Sequence, residues 1–304
     1  ELAREAGAVE QEAAALGGLG EAGYVRGRMV SACAAYRSCV ELCQQRGLGR
    51  IEVANRPMLA ITRWFVEDVG TALTEALAAI EAAARVGQIR AQTIGHHAAC
   101  FCNLFMLDLP QAWRHAEPAL TLAVQLGSKR FEAEALALRA ELHRRAGRAA
   151  EALADLELAL ALSRETGMAY IGPVILGVLA LATADADERD ATLAEGEALL
   201  AAGSISHNHF LFRRDAIEVC LRAGAWDRAL HHAAALEDYA REEPTPWSRF
   251  MVARGHALAE HGRGADRGLL AAELARLRAE GLRLQHLDAL PAIDAALASM
   301  PISS

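Results

Sequence analysis

The sequence predicts an all-α protein, a right-handed superhelical solenoid made of stacked helical hairpins. The first observation is composition: 53% of the 304 residues are hydrophobic and only 5% are aromatic, with Ala and Leu dominant, which is typical of long packed helices. The second is that glycines recur every 40 residues. The third is that small residues recur at the same interval inside the helical segments. A fixed period in this range indicates stacked helical repeats.

The clearest repeat runs from Ser128 to Gly167, where two segments rich in Ala and Leu are followed by a closing glycine. Equivalent glycines stand at Gly7, Gly47, Gly87, Gly127 and Gly167, and Gly203 follows after 36 residues. Two helices joined by a short turn pack as an antiparallel hairpin. Each 40-residue unit is therefore predicted to be one hairpin, with a first helix A and a second helix B.

Small residues mark the positions where the two helices of a hairpin must approach closely. On helix A they are Gly20, Ala60, Cys100, Ala140 and Ala180. On helix B they are Ala32, Ala72, Ala112 and Ala152, and seven residues further on Cys39, Ala79, Ala119 and Ala159. A separation of seven residues keeps both B positions on one face of the helix, and small side chains let two helix axes come close.

Residues 1–203 are predicted to be a five-unit region of 40-residue repeats, in which the leading repeat, ending at Gly7, lacks its first helix. The predicted helices cover 9–25, 28–46, 50–65, 69–86, 89–106 and 110–126, two helices within 128–167, and then 168–183 and 188–202. Asp108 with Pro110 suits a helix start, and Asp185 or Asp187 suits the cap of the helix at 188. Kinks or helix starts are expected at Pro57, Pro118 and Pro173.

Residues 204–304 are predicted to hold two further degenerate hairpins, continuous with the same solenoid. Their helices cover 206–223, 226–241, 246–261 and 265–280, with Gly224 and Gly262 at the turns. A last short helix, beginning near His286 or Pro291 and ending near Ser299, would cover the apolar end that an open stack exposes. The chain starts part-way through a repeat, so we expect it to be a piece of a longer protein.

Charge and cysteine usage exclude several classes of protein. A net charge of -8 disfavours a nucleic-acid partner, because such surfaces need clustered cations. No run of about 18 apolar residues is present, so no membrane partner is expected. The six cysteines lie inside helical segments and lack the loop spacing of a disulfide framework, which favours a reduced, cytoplasmic location.

The repeats resemble the tetratricopeptide repeat. The resemblance rests on Leu19-Gly20 before Gly27, followed by Ala32 and Tyr36, with helices longer than those of the usual unit of about 34 residues. Several positions depart from that pattern. Arg139 and Ala99 stand where leucine is preferred, and Glu67 and Leu107 replace the turn glycine.

A closer resemblance covers nearly the whole chain. Segments 26–58 (RGRMVSACAAYRSCVELCQQRGLGRIEVANRPM), 206–221 (SHNHFLFRRDAIEVCL) and 243–259 (EPTPWSRFMVARGHALA) resemble the C-terminal repeat region of bacterial multidomain adenylate/guanylate cyclases. Those proteins carry an N-terminal class III cyclase domain and a central AAA-type ATPase domain. A similar helical region occurs on ATPase-type transcription regulators similar to the maltose-regulon activator, which is the alternative.

The resemblance implies a non-catalytic domain for protein–protein interaction and regulatory or sensory signalling. Its partner would be a protein, a peptide or a neighbouring domain of the parent polypeptide, and a homodimer is also possible. A phosphate-binding Walker loop needs Gly-Lys-Ser/Thr, but Lys129, the only lysine, is followed by Arg130. The predicted fold also has no strand to present the metal-binding aspartates of a cyclase. No cofactor is therefore expected, and catalysis would belong to the parent protein.

One cluster suggests a different chemistry. His96, His97, Cys100 and Cys102 lie within seven residues, and His96 and Cys100 could share a helix face and bind a soft metal. An all-α metal-dependent enzyme is the corresponding alternative. Cys100 also occupies a close-approach position, where a small buried side chain is expected. The packing interpretation is therefore preferred, since one helix supplies only two well-directed ligands.

The predicted binding surface is the concave face, which the A helices line in superhelical arrays of this type. The candidate residues are Trp64, Phe65, His97, Phe101, Phe105, Glu141 and Arg144. Aromatic side chains with a neighbouring arginine commonly anchor protein interfaces. The alternative is that these large residues fill the seam between adjacent hairpins. If these residues form an exposed binding surface, Trp64→Ala or Phe101→Ala weakens association with the partner and leaves the helix content intact. If they fill a seam, both variants lose the fold.

Overall fold

The computed structural model describes residues 7–265 and 267–300 of the protein. These residues form fifteen α-helices and one short 3₁₀-helix, and the described part contains no strand. The helices are α1 (Val9–Val25), α2 (Met29–Arg46), α3 (Gly49–Val66), α4 (Val69–Arg85), α5 (Ile89–Phe105), α6 (Leu109–Leu126), α7 (Lys129–Arg145), α8 (Ala149–Thr166), α9 (Gly172–Ala182), α10 (Ala186–Gly203), α11 (Ser206–Arg222), α12 (Trp226–Ala240), α13 (Pro246–Gly262), α14 (Arg267–Leu284), the 3₁₀-helix (Leu287–Ala289) and α15 (Leu290–Ala298).

Successive helices pack against one another along the whole described chain, as expected of stacked hairpins. The prediction of an all-α solenoid of helical hairpins is therefore confirmed. The largest differences from the predicted bounds are four residues: α9 begins at Gly172 and not at 168, because Pro173 occupies its first turn, and α14 ends at Leu284 and not at 280. Pro57 and Pro118 lie inside α3 and α6. None of the helices in the described residues is long and apolar enough to cross a membrane.

The caps follow from the local sequence. The side chain of Asp108 accepts a hydrogen bond from the Gln111 amide at 3.1 Å, and that of Asp185 accepts one from the Glu188 amide at 2.9 Å. Of the two aspartates proposed to cap α10, Asp185 is thus the one that does so. A carboxylate in this position satisfies one of the free amides of the first turn.

Gly27 is required at the first turn for two reasons. Its φ of 77° lies in the left-handed region, which favours glycine. A Cβ atom at this position would also come within 2.8 Å of the Tyr239 ring. Leu107, at the equivalent of a turn glycine, adopts a φ of 58° despite its side chain. The chain therefore keeps the turn geometry of the repeat where the glycine itself is absent.

The close-approach positions that can be compared are buried as predicted. Their side chains are at most 1% exposed at Ala32, Cys39, Ala60, Ala72, Ala79, Cys100, Ala112, Ala119, Ala140, Ala152, Ala159 and Ala180. At Gly20, an added Cβ would meet the Tyr36 ring at 2.7 Å. The 40-residue register therefore describes the packing within each hairpin.

Enlarging one of these positions tests the register. Ala140→Leu is expected to lower the free energy of unfolding by about 1–3 kcal/mol, because the added methylenes must enter a packed seam at a side chain that is 0% exposed. Ala154→Leu, at an exposed position of the neighbouring helix α8, is the matched control. Urea unfolding of both variants measures the difference. Equal stability of the two would contradict the register.

The array also closes on itself. Helix α11 contacts α1, α13 contacts α3, and the 3₁₀-helix contacts α5. These contacts join the last units to the first ones, so the inner A helices face each other across the centre. The accessible surface is 13293 Å², close to the roughly 12400 Å² expected of a compact protein of this mass. The solenoid is therefore compact, with its interior filled.

Candidate functional site

The four aromatic residues predicted on the concave face do come together. Trp64 lies 5.3 Å from Phe101 and 5.8 Å from Phe105 between ring centroids, and 5.5 Å from Phe65. Their exposed fractions are only 8% at Phe101 and 3% or less at the other three. The four rings therefore form one cluster, and that cluster is covered.

The cover is supplied by the last units of the same chain. The Phe65 ring lies 5.0 Å from Phe210 and 5.3 Å from Trp247, and the Phe105 ring lies 4.9 Å from His286. The expectation of an open concave groove at these aromatics must be corrected, since burying such rings against one another is favourable. They fill seams, as in the alternative interpretation: Trp64 packs on Phe101 and Phe105 of the adjacent hairpin, and Phe65 and Phe105 also pack on the distant last units.

Polar groups surround this closure. The Tyr24 hydroxyl is 2.9 Å from Nδ1 of His207, and the Ser206 hydroxyl donates to the Tyr24 carbonyl. The amide of Ser31 donates to Glu243 at 3.0 Å. Arg28 forms an ion pair with Glu242. We call this set, Tyr24, Arg28, Ser31, Ser206, His207, Glu242 and Glu243, the closure rim.

His97, the next candidate, is also inside the protein. Its side chain is 1% exposed, and Nδ1 lies 3.1 Å from Oε2 of Glu134. Burial alone would raise the pKa of the Glu134 carboxyl, but His97 and the Tyr170 hydroxyl hold it below its ordinary value. His97 therefore belongs to a buried polar pair and does not face solvent.

The His/Cys cluster does not form one site. Nδ1 of His96 lies 3.1 Å from Nδ1 of His115, on a different side from the pair of His97 with Glu134. Cys100 and Cys102 are fully buried, and burial raises the pKa of both thiols. Within residues 7–265 and 267–300, no three His, Cys, Asp or Glu side chains are arranged to hold a metal ion.

Glu141 and Arg144 lie near the C-terminal end of α7, and Glu141 lines a small cavity together with Phe101 and Phe105. The buried Glu141 carboxylate accepts two hydrogen bonds from Arg144, at 2.7 and 2.8 Å, and one from Nε of Arg145 at 2.6 Å. Burial would raise the pKa of Glu141, but the two guanidinium groups outweigh it and lower the pKa to about 2. The carboxylate is thus held ionised inside the protein.

Arg145 connects three parts of the fold. Besides Glu141, it donates to the Leu104 carbonyl of α5 at 3.0 Å and to Asp288 of the 3₁₀-helix at 3.4 Å. All its donor nitrogens are therefore engaged. Its role is to fix the end of α7 against α5 and the 3₁₀-helix.

Helices α11 and α13 supply the opposite side. Nε of Arg214 donates to Asp215 at 2.7 Å, and Glu218 accepts from both Arg222 and Arg254, each at 2.9 Å. Between these side chains and those of α7 lies a cavity of about 340 Å³, which we call the charged cavity. Its charged lining comprises Glu141, Arg144, Arg145, Arg214, Asp215, Glu218, Arg222, Arg254 and Asp288.

Most of this lining was missed by sequence reasoning. Only Glu141 and Arg144 were candidates. The charged run Arg213-Arg214-Asp215 directly after the apolar residues 210–212 of α11, and Arg254 after the apolar residues 250–253 of α13, were the available signals. Nothing in one sequence places them beside α7, because that depends on how the array curves.

A larger cleft of about 690 Å³ lies between α12, α13 and α14. In the described part of the chain, its charged side chains pair only with near neighbours, as Arg241 does with Asp238 and Glu273 with Arg276. The charged cavity differs, because two of its ion pairs, Arg145 with Asp288 and Arg254 with Glu218, join elements that are distant in sequence. It is therefore the better candidate site.

No protein-family model matches the chain, and no curated protein matches its sequence. The functional conclusion therefore depends on the geometry of the closure and the charged cavity, together with the resemblance of the sequence.

Proposed function

We propose that the chain is a non-catalytic regulatory repeat domain, which binds a protein or peptide partner or a neighbouring domain of the same polypeptide. The observation that carries the proposal is the closure: the first and last units of the array meet at a contact that a partner can favour or oppose. In keeping with the sequence resemblance, the parent would be a cyclase-type signalling protein of the cytoplasm.

The closure suits this role because it combines an apolar centre with a small polar rim. The contacts of Ser31 with Glu243 and of Arg28 with Glu242 each join one exposed and one half-buried side chain, and pairs near the surface contribute little stability. A partner with different affinities for the closed and opened arrays would shift the balance between them. The change at the ends of the array would then transmit the binding of the partner to adjoining domains.

The first test is the reading frame upstream of residue 1. A class III cyclase domain and an ATPase domain are expected there. A DNA-binding region joined to an ATPase domain would instead favour the transcription-regulator alternative. An upstream sequence with neither would contradict the proposal of a signalling parent.

The second test uses the full parent protein. Glu243→Lys removes the acceptor for the Ser31 amide at the closure rim and is expected to change cyclase output at least severalfold. Glu165→Lys, which alters an exposed pair with Lys129 away from the rim, is the control. Both proteins must show the same abundance. Unchanged output in Glu243→Lys would contradict a regulatory closure.

A further inference from the structure

We infer that the charged cavity binds a small organic anion bearing a phosphate or carboxylate group. This goes beyond the proposed regulatory role, because it concerns a ligand that the cavity itself would hold, whatever domains adjoin the chain. The hydrogen-bonding groups that remain unpaired at its surface indicate the charge of the ligand.

The carboxylate oxygens that line the charged cavity either accept hydrogen bonds or are closed off from solvent. Both oxygens of Glu141 and both of Glu218 accept hydrogen bonds from arginines. Oδ2 of Asp215 and Oδ1 of Asp288 have no partner, but both atoms are closed off from solvent. A cationic or amine ligand entering the cavity would therefore meet no free carboxylate oxygen.

The hydrogen-bond donors of the charged cavity, in contrast, are only partly paired. Among the described residues, Nη1 of Arg144, of Arg214 and of Arg254 has no hydrogen-bond partner, and Arg222 uses only Nε. None of these nitrogens is closed off from solvent. Five arginines face four carboxylates in the lining, an excess of positive charge in a chain whose net charge is -8. The free groups thus match an anion.

The guanidinium groups are held in place before any ligand arrives. Glu141 fixes Arg144 through two hydrogen bonds, and the Arg214 guanidinium lies 5.6 Å above the Phe105 ring. Preorganised forks of this kind lose little freedom on binding. They also prefer the planar or tetrahedral oxygens of carboxylate and phosphate groups.

The remaining lining indicates an organic body and not a bare ion. Leu107, Leu109, Leu181 and Met251 also line the charged cavity. Its volume of about 340 Å³ falls in the range of small-molecule sites, which combine apolar walls with a few polar groups. A phosphate ester or an organic acid with an apolar part fits both halves of the lining.

The binding test uses phenyl phosphate, benzoate and benzylammonium as probes, each at the same ionic strength, with calorimetry and thermal unfolding as readouts. At least one of the two anions is expected to bind with a 1:1 stoichiometry and to raise the melting temperature, whereas benzylammonium does neither. Tighter binding of phenyl phosphate assigns phosphate esters, and tighter binding of benzoate assigns carboxylates. Binding of neither anion, or equal binding of benzylammonium, would overturn the inference.

Variants locate the site. Arg144→Gln and Arg222→Gln are each expected to weaken anion binding at least fivefold. Arg222 lies at the mouth with a side chain that is 52% exposed, so its replacement preserves the fold. Arg283→Gln is the matched control for Arg144→Gln, because Arg283 holds Glu280 with the same three-residue spacing as Arg144 and Glu141, but at an exposed site. Equal affinity in Arg222→Gln, Arg283→Gln and the unaltered protein would place the anion elsewhere and overturn the inference.

Discussion

Phe65→Ala is expected to lower the free energy of unfolding by about 3–5 kcal/mol, the range for removing a buried phenyl ring. Phe65 is 0% exposed and lies at the centre of the closure, against Trp64 of its own helix and Phe210 and Trp247 of the last units. Removing the ring leaves a cavity that three aromatic neighbours cannot fill without moving. The loss would therefore affect both the stability of the fold and the contact between its ends.

Denaturant unfolding followed by circular dichroism measures this effect. Leu19→Ala, which shortens a side chain that is 62% exposed, is the control and should change stability by less than about 0.5 kcal/mol. Trp64→Ala and Phe101→Ala are now also expected to lose stability, because both rings are buried. A Phe65→Ala variant as stable as Leu19→Ala would contradict the closed arrangement.

Acidification from pH 7.5 to 5 is expected to destabilise the protein by several kcal/mol. Burial lowers the pKa of His96, His232 and His286 from 6.5 to about 4, and burial also lowers that of His207. A folded pKa below the unfolded one gives stability that is complete above pH 6.5 and lost as the pH falls towards 4. For the fully buried His286, the shift corresponds to about 3 kcal/mol.

The two buried carboxylates Asp215 and Glu141 do not account for the expected loss of stability on acidification. Burial raises the pKa of Asp215 to about 6, so its protonation on acidification offsets part of the loss. Glu141, with its pKa lowered to about 2, loses its contribution only below its unfolded pKa of 4.5. The fall in stability between pH 6.5 and 5 therefore belongs to the buried histidines.

Urea unfolding at pH 7.5, 6.5 and 5.0 checks this expectation. In His286→Gln, the dependence on pH should be weaker than in the unaltered protein. His256→Gln, at an exposed position of α13, should leave the dependence unchanged. A free energy of unfolding that stays constant from pH 7.5 to 5.0 would contradict the burial of neutral histidines.

The helices could be predicted because their signals are local. Gly27, Asp108 and Asp185 each mark a helix end through nearby backbone groups, and the small residues around Ala140 mark packing within one hairpin. These features depend on a few consecutive turns, so the sequence contains enough information to place them.

The closure could not be predicted in the same way. The curvature of a solenoid accumulates from a small rotation at each repeat, and a single sequence does not reveal that rotation. The sequence predicts Trp64 and Phe65 on the concave face, but nothing in it indicates that Phe210 and Trp247 pack against Phe65. Glu141 was a candidate because the repeat register places it on a helix A. Arg254 and Asp288, its distant neighbours in the charged cavity, were not candidates.

Chemical cross-linking across the closure rim tests the closed array most directly. The native cysteines are buried, and burial raises the pKa of their thiols, so a brief treatment should modify only introduced thiols. In Ser31→Cys with Glu243→Cys, a short bifunctional thiol reagent is expected to join the two positions within one chain in high yield, whereas either single variant gives no link. Failure of the double variant to form this intrachain link in the folded protein would contradict the closed array.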